Sequence, residues 1–236
     1  MPFPQAIAAV IFDMDGLLFD TERLYFEAMR MAADELGTSL TPEIIYHTIG
    51  LPVANCNVIW AEHFGPNFEA ASFWAVTSRN FKMLAENDLR LKAGAIELLD
   101  LLDRLKLPRA IATSTDRMTV DHHLAKVGLS ERFDAIVAYG DYDHGKPHPA
   151  PYTTAAERLG VAPMHCLALE DSHNGVRSAA AAGMTTIMVP DLIGATEEMR
   201  ELTLRVARDL HEVYVLFDLR SKKRQISATL AAGGRC

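Results

Sequence analysis

A chain of 236 residues with 49% apolar and 23% charged residues has globular make-up and is long enough for one large domain or a core with an insert. A net charge of −8 argues against a nucleic-acid binder, which needs a basic face for phosphates. The N-terminal apolar run is too short for a membrane or secretory segment, and three scattered cysteines (Cys56, Cys166, Cys236) give no disulfide framework; the expectation is a cytoplasmic protein, no membrane partner, and a monomer or weak homo-oligomer.

Taken in chain order, Ala6 to Phe12 is apolar and rich in β-branched residues, which predicts a strand buried on both faces. Asp13-Met14-Asp15-Gly16 follows at once, where open α/β sheets hold their ligands. Two carboxylates there repel each other unless a cation or a proton holds them. Thr21–Leu36, Thr41–Gly50, Val53–Phe64 and Glu69–Asn87 then read as helices with no strand between them, and Pro42 suits a first helical turn. That is far more chain than a crossover needs, so residues 20–90 are expected to form an inserted helical domain, with 1–19 and 91–236 as the core.

Beyond it, strands are predicted at Arg109–Thr113, Ala135–Ala138, His165–Leu169 and Thr185–Val189. Helices are predicted at Ile96–Leu105, Met118–Val127, Tyr152–Leu159 and Val176–Ala182, the last three closed by Gly128, Gly160 and Gly183. The alternation implies an α/β fold, a Rossmann-like doubly wound parallel sheet with right-handed crossovers. From Arg220 the chain is basic and then small, which reads as a frayed terminus.

Four polar clusters fall at or beside strand ends: Asp13-Met14-Asp15-Gly16, Thr113-Ser114-Thr115, Lys146-Pro147 and Glu170-Asp171-Ser172. Each alone is a common turn, cap or solvated pair. All four in order, each beside a different buried strand, fit phosphoryl transfer. A carboxylate attacks phosphorus in line, and a second carboxylate two residues on protonates the leaving oxygen and later deprotonates water. A divalent cation with oxygen ligands, most simply Mg2+, and Lys146 neutralise the phosphate, while Thr113 or Ser114 donates to its oxygens.

These residues resemble the haloacid dehalogenase superfamily, whose four motifs match Asp13-X-Asp15, Thr113, Lys146 and Glu170-Asp171. Phe12 to Glu22, Gly145-Lys146-Pro147 and Leu169-Glu170-Asp171-Ser172 with Gly175 resemble the branch that contains β-phosphoglucomutase and small-molecule phosphatases such as pseudouridine-5′-phosphatase. The resemblance runs to about Pro190 and includes a helical cap between the first two motifs. It implies Asp13 as nucleophile and Mg2+ ligand, and Asp15 as general acid/base giving its backbone carbonyl to the metal. Asp171 becomes the other protein ligand, with Glu170 acting directly or through water. Thr113, the Ser114 backbone and Lys146 hold the phosphate.

Tyr25 stands where the mutase carries a cap histidine, which disfavours a phosphosugar mutase, and Asp15 distinguishes the chain from true dehalogenases. The expected activity is a Mg2+-dependent phosphatase acting on a small phosphorylated metabolite, a sugar phosphate or nucleotide-like monoester. The alternatives are a mutase using the same aspartyl-phosphate, or a non-catalytic phosphate-responsive regulator. In the insert Tyr25, Arg79 and Lys82, with Trp74 and the Gly50-Leu51-Pro52 turn, are candidates to face substrate. His144 and His148 flank Lys146, but Pro147 and Pro149 deny them a helix, so a loop rather than a zinc pair is expected.

Overall fold

The computed structural model describes residues 3, 5–48, 53–65 and 68–218. The Gly50-Leu51-Pro52 turn and the tail from Arg220 lie outside them. Six parallel strands, β1 (Ala9–Phe12), β2 (Arg109–Asp116), β3 (Ala135–Tyr139), β4 (Cys166–Glu170), β5 (Thr185–Met188) and β6 (Arg205–Val206), form one sheet in the order β3-β2-β1-β4-β5-β6. The chain steps outward from β1 to β2 and β3, then returns to lay β4 on the other side of β1. The order therefore reverses between β1 and β4, where a parallel sheet opens a crevice at its carboxyl edge. Phe12 pairs with Leu169, so Asp13 and Glu170 leave the sheet side by side.

Side chains alternate across β1. Val10 and Phe12 face one layer, where Leu98, Leu99 and Leu102 of α5 (Ala95–Leu105) pack with Leu210, Val213 and Phe217 of helical residues 210–218. Ala9 and Ile11 face the other, together with Ala110, Ala112 and Ala168. That alanine surface lets α7 (Ala150–Leu159) and α8 (His173–Ala181) approach closely, with Tyr152, Ala155, Ala156 and Ala179 buried against it. The remaining core helices are α6 (Arg117–Lys126) and α9 (Glu197–Leu202). Gly128, Gly160 and Gly183 all have positive φ, as left-handed C-terminal residues require.

Between β1 and β2 the chain forms α1 (Thr21–Leu36), α2 (Pro42–Thr48), α3 (Val53–Phe64) and α4 (Ala70–Asp88). These helices own two apolar clusters: Trp60 and Phe73 with Ala32, Ala33 and Ile44, and Leu24 and Ala28 with Phe81 and Ala85. The two chain crossings lie next to each other. Phe19 bridges Leu91, Asp20 N–H donates to Arg90 O (2.9 Å), and Lys92 N–H donates to Leu18 O (2.9 Å).

Two expectations need correction. The first strand is shorter than the apolar run, beginning at Ala9. The second is longer, running to Asp116 rather than Thr113 with a register irregularity between Ala112 and Asp116, so Ser114 and Thr115 also lie within β2. The chain from Glu197 to residue 218, for which the sequence pattern gives no element, adds α9, β6 and a helix; β6 has only two residues, too few for any periodicity. Among the described residues no helix is long and apolar enough to cross a membrane.

Candidate active site

The site begins at the turn after β1. Asp13 N–H donates to Leu169 O (2.9 Å), which ties the residue to β4. The chain then doubles back, with Leu18 and Phe19 N–H donating to Met14 O (2.9 and 3.0 Å). Gly16 makes the turn at φ +81°, and a Cβ there would run into the Asp171 carboxylate. Here a glycine is required both by conformation and by space.

Four clusters far apart in sequence converge on this turn. Lys146 Nζ donates to Asp13 Oδ1 and to Glu170 Oε1 (2.5 Å), and stands 5.2 Å from the centre of the Tyr152 ring. Thr115 Oγ1 donates to Asp15 Oδ2 at 2.6 Å. Thr113 is buried, its Oγ1 accepting from Thr115 N–H (3.1 Å) and its carbonyl accepting from the Tyr142 hydroxyl (3.1 Å). Thr113, Ser114 and Lys146 line one cleft of about 530 Å3 with Asp13, Asp15 and Asp171.

Glu170 is fully buried and is the hub of the site. Its Oε1 accepts from Lys146 and from the Tyr152 hydroxyl (2.8 Å); its Oε2 accepts from Asp171 N–H, Ser172 N–H and Ser172 Oγ, each at 3.0 Å. Ser172 also caps α8 by accepting from Gly175 N–H (3.1 Å). A Cβ at Gly175 would overlap the Glu170 carboxylate, which explains the glycine that closes this motif.

Burial pushes the Asp13 carboxyl well above the ordinary carboxylate range; Lys146 pulls it down, and Glu170 and Asp15 push it up. Asp171 is raised for the same first reason, then by the charges of Asp13, Glu170 and Glu22. Burial opposes the charge on Lys146, yet Asp13 and Glu170 hold its ammonium protonated above the ordinary lysine range. The centre therefore has more negative charge than one lysine balances. Asp13, Glu170 and Asp171 each offer an oxygen within 4.8 Å of the others, and Asp171 Oδ1 is buried with no hydrogen-bond partner. An all-oxygen donor set with an orphaned carboxylate oxygen fits a hard divalent cation such as Mg2+.

A second cleft of about 900 Å3 continues from the first and shares Tyr25, Ser114, Thr115 and Tyr139 with it. Tyr25 stacks on Phe81 with ring centres 3.9 Å apart, and Lys82 also lines this cleft. Arg79 does not reach either cleft: its guanidinium pairs with Glu35, linking α4 to α1. Trp74 is likewise engaged inside the helical segment, donating to Asn57 Oδ1 (3.0 Å). His144 and His148 sit on the exposed loop with rings 4.8 Å apart, and His173 bonds the Gly194 carbonyl (2.9 Å).

The sequence pattern assigns no role to Tyr152, Tyr142 or Glu22, and gives Thr115 only as a member of the Thr113-Ser114-Thr115 cluster. Glu22 lines the first cleft, and burial, followed by the Asp15 and Asp191 charges, raises its carboxyl to about 7. Its signal was a charged residue in the first turn of a helix that starts at the catalytic turn.

Residues 10–189 match the family model described as haloacid dehalogenase-like hydrolase. A Thermotoga maritima protein named phosphorylated carbohydrates phosphatase is 34% identical over 179 residues, 76% of this chain and 83% of that one. A Drosophila melanogaster protein carrying the name "Probable pseudouridine-5'-phosphatase" is 37% identical over 188 residues, 77% of this chain and 80% of its own. The crystal structure of CbbY from Rhodobacter sphaeroides in complex with phosphate superposes with a TM-score of 0.73 at 28% identity, covering 88% of this chain and 96% of the other. With three quarters of its length matched and the four motif clusters gathered at one sheet edge, the chain belongs to the haloacid dehalogenase-like hydrolase family.

Proposed function

We propose that the protein is a Mg2+-dependent phosphomonoesterase that hydrolyses a small phosphorylated metabolite, a sugar phosphate or nucleotide-like monoester, through an aspartyl-phosphate on Asp13. Residues 20–90 act as the cap that selects the leaving group. The observation that carries this reading is the Lys146 ammonium held against Asp13 at the end of β1, with the unpartnered Asp171 Oδ1 in the same cleft. The names of the Thermotoga and Drosophila relatives support the substrate class.

In the first step an Asp13 carboxylate oxygen attacks phosphorus and the bond to the ester oxygen breaks, with Asp15 giving its proton to the departing alcohol. In the second, Asp15 takes a proton from water, the water oxygen attacks phosphorus, and the bond to Asp13 breaks to release phosphate. Thr115 holds the Asp15 carboxylate in place through one oxygen and leaves the other for proton transfer. Lys146, the Thr113 hydroxyl and the Ser114 N–H hold the phosphate oxygens. Asp13, Asp171 and the Asp15 carbonyl would hold Mg2+. The five donors already on Glu170 favour its action through water and through Lys146. When bound, Mg2+ supplies the positive charge that lets an anionic phosphate approach Asp13.

Purified protein assayed on a panel of sugar, polyol and nucleoside monophosphates should release inorganic phosphate with Mg2+ and cease to do so in EDTA. Undiminished release in chelator would remove the metal from this reading. Conversion of a sugar 1-phosphate to an isomer without phosphate release would favour the mutase. A stable phospho-Asp13 with no turnover of any substrate would favour the regulator.

A further inference from the structure

Glu22 occupies the first turn of α1, directly after Thr21, whose hydroxyl oxygen accepts from Gly16 N–H (3.2 Å). Its side chain lies beside Gly16, and it lines the cleft that holds Asp13, Asp15, Lys146 and Asp171. The neighbouring carboxylates have partners or a proposed role: Asp13 has Lys146, Asp15 has Thr115, Glu170 has five donors, and Asp171 would hold the cation. The Glu22 carboxylate takes no hydrogen bond or ion pair from the described residues. The neighbouring cation, Lys92, is committed to Asp191 (2.6 Å) and stands 3.7 Å from Asp20.

Glu22 is half-buried in the cleft wall, so a ligand that displaces water from its carboxyl must supply the donors that water gave. Position says which part of the ligand. Glu22 and Tyr25 are three residues apart on α1, share a helix face, and line the cleft together, next to the acid/base Asp15. Asp15 is the group that protonates the departing alcohol on the proposed reading, so a residue beside it faces the leaving group. An oxygen of the Glu22 carboxyl can accept whether or not the group carries a proton, so it favours a leaving group that bears hydroxyls.

We propose that Glu22 is a specificity-determining residue: it accepts a hydrogen bond from a hydroxyl of the leaving group close to the scissile ester, and so selects hydroxylated esters over plain alkyl ones. This rests on the phosphomonoesterase reading. The test compares ribitol 5-phosphate with n-pentyl phosphate, two five-carbon monoesters that differ in hydroxyl groups. For the wild type, kcat/KM should favour the ribitol ester, and Glu22→Ala should lower that preference by about tenfold, as expected for the loss of one hydrogen bond to the substrate. Glu22→Gln, which keeps an accepting oxygen, should recover part of the preference and also guards against a misfolded alanine variant.

An unchanged ratio in Glu22→Ala, or a wild type without preference, overturns the proposal. Equal losses on both esters together with a higher Mg2+ requirement also overturn it, since they place Glu22 at the cation. A wild type that releases phosphate from neither these esters nor the wider panel defeats the phosphomonoesterase reading itself, which separates the two failures.

Discussion

At the sheet edge, side chains remote in sequence are locked to one another in buried surroundings: Lys146 to Asp13 and Glu170, Tyr152 to Glu170, Thr115 to Asp15. The helical segment between β1 and β2 is joined differently. Its interior is an aromatic cluster of its own, with the Trp60 ring centre 4.6 Å from Phe73 and 4.5 Å from Trp74. Its ion pairs with α6 of the core are at the surface, where Glu86 of α4 meets His122 (2.9 Å) and Lys126 (3.3 Å). On the function proposed above, the difference suits two tasks. A phosphoryl-transfer centre gains from groups that need no reorganisation, whereas a surface that chooses leaving groups gains from weak links that can yield.

Several substitutions would break or sharpen that contrast. The largest effect is expected from Asp13→Asn, which keeps the size of the side chain but removes the nucleophile. Phosphate release should fall by about a thousandfold or more while the fold is kept; retained turnover would refute the assignment. Trp60→Ala empties the centre of the helical segment and should lower stability by about 3–5 kcal/mol, read by urea unfolding. If the two regions are separate in function, selectivity among metabolites should suffer more than turnover of p-nitrophenyl phosphate; equal losses would make them one unit.

A smaller effect follows from pH. The carboxyls of Asp13, Glu22 and Asp171 all titrate higher in the folded chain than in an unfolded one. A group raised in this way favours the folded state most at low pH and loses that contribution as pH climbs through its folded value. For Glu22, raised from 4.5 to about 7, the loss between pH 5 and pH 8 is on the order of 2 kcal/mol in metal-free protein. Glu22→Gln should flatten that part of the profile in unfolding experiments, and an unaltered slope would mean the carboxyl feels no such burial. The smallest effect is expected from Glu86→Ala, whose exposed pairs should leave the melting temperature unmoved. A marked drop would show that the links between the regions are firmer than the contrast allows.

The sheet edge was legible because its chemistry follows strands by fixed offsets. Asp13 comes directly after β1, and Glu170 ends β4, so hydrophobic runs alone brought them side by side. Glycines told in the same way: Gly160 caps α7 at φ +66°. What stayed hidden depends on contacts across the fold. Tyr152 looks like one more apolar helix residue, and its hydroxyl acquires meaning only when α7 lies against β4 and reaches Glu170. Arg79 looked like a substrate ligand because nothing local reveals that Glu35, on another helix, takes its charge. The extension of β2 to Asp116 was missed because threonine and serine read as a turn, while pairing with β3 keeps the chain extended.

The account turns on Asp13 forming a bond to phosphorus with Lys146 and Asp171 beside it. Wild-type protein can be mixed with Mg2+ and a turned-over substrate, quenched in acid during turnover, digested and examined by mass spectrometry. The account predicts one phosphoryl group on the peptide carrying Asp13, absent from Asp13→Asn. Continued phosphate release with no phosphoryl group on Asp13, or with one on another residue, would contradict it.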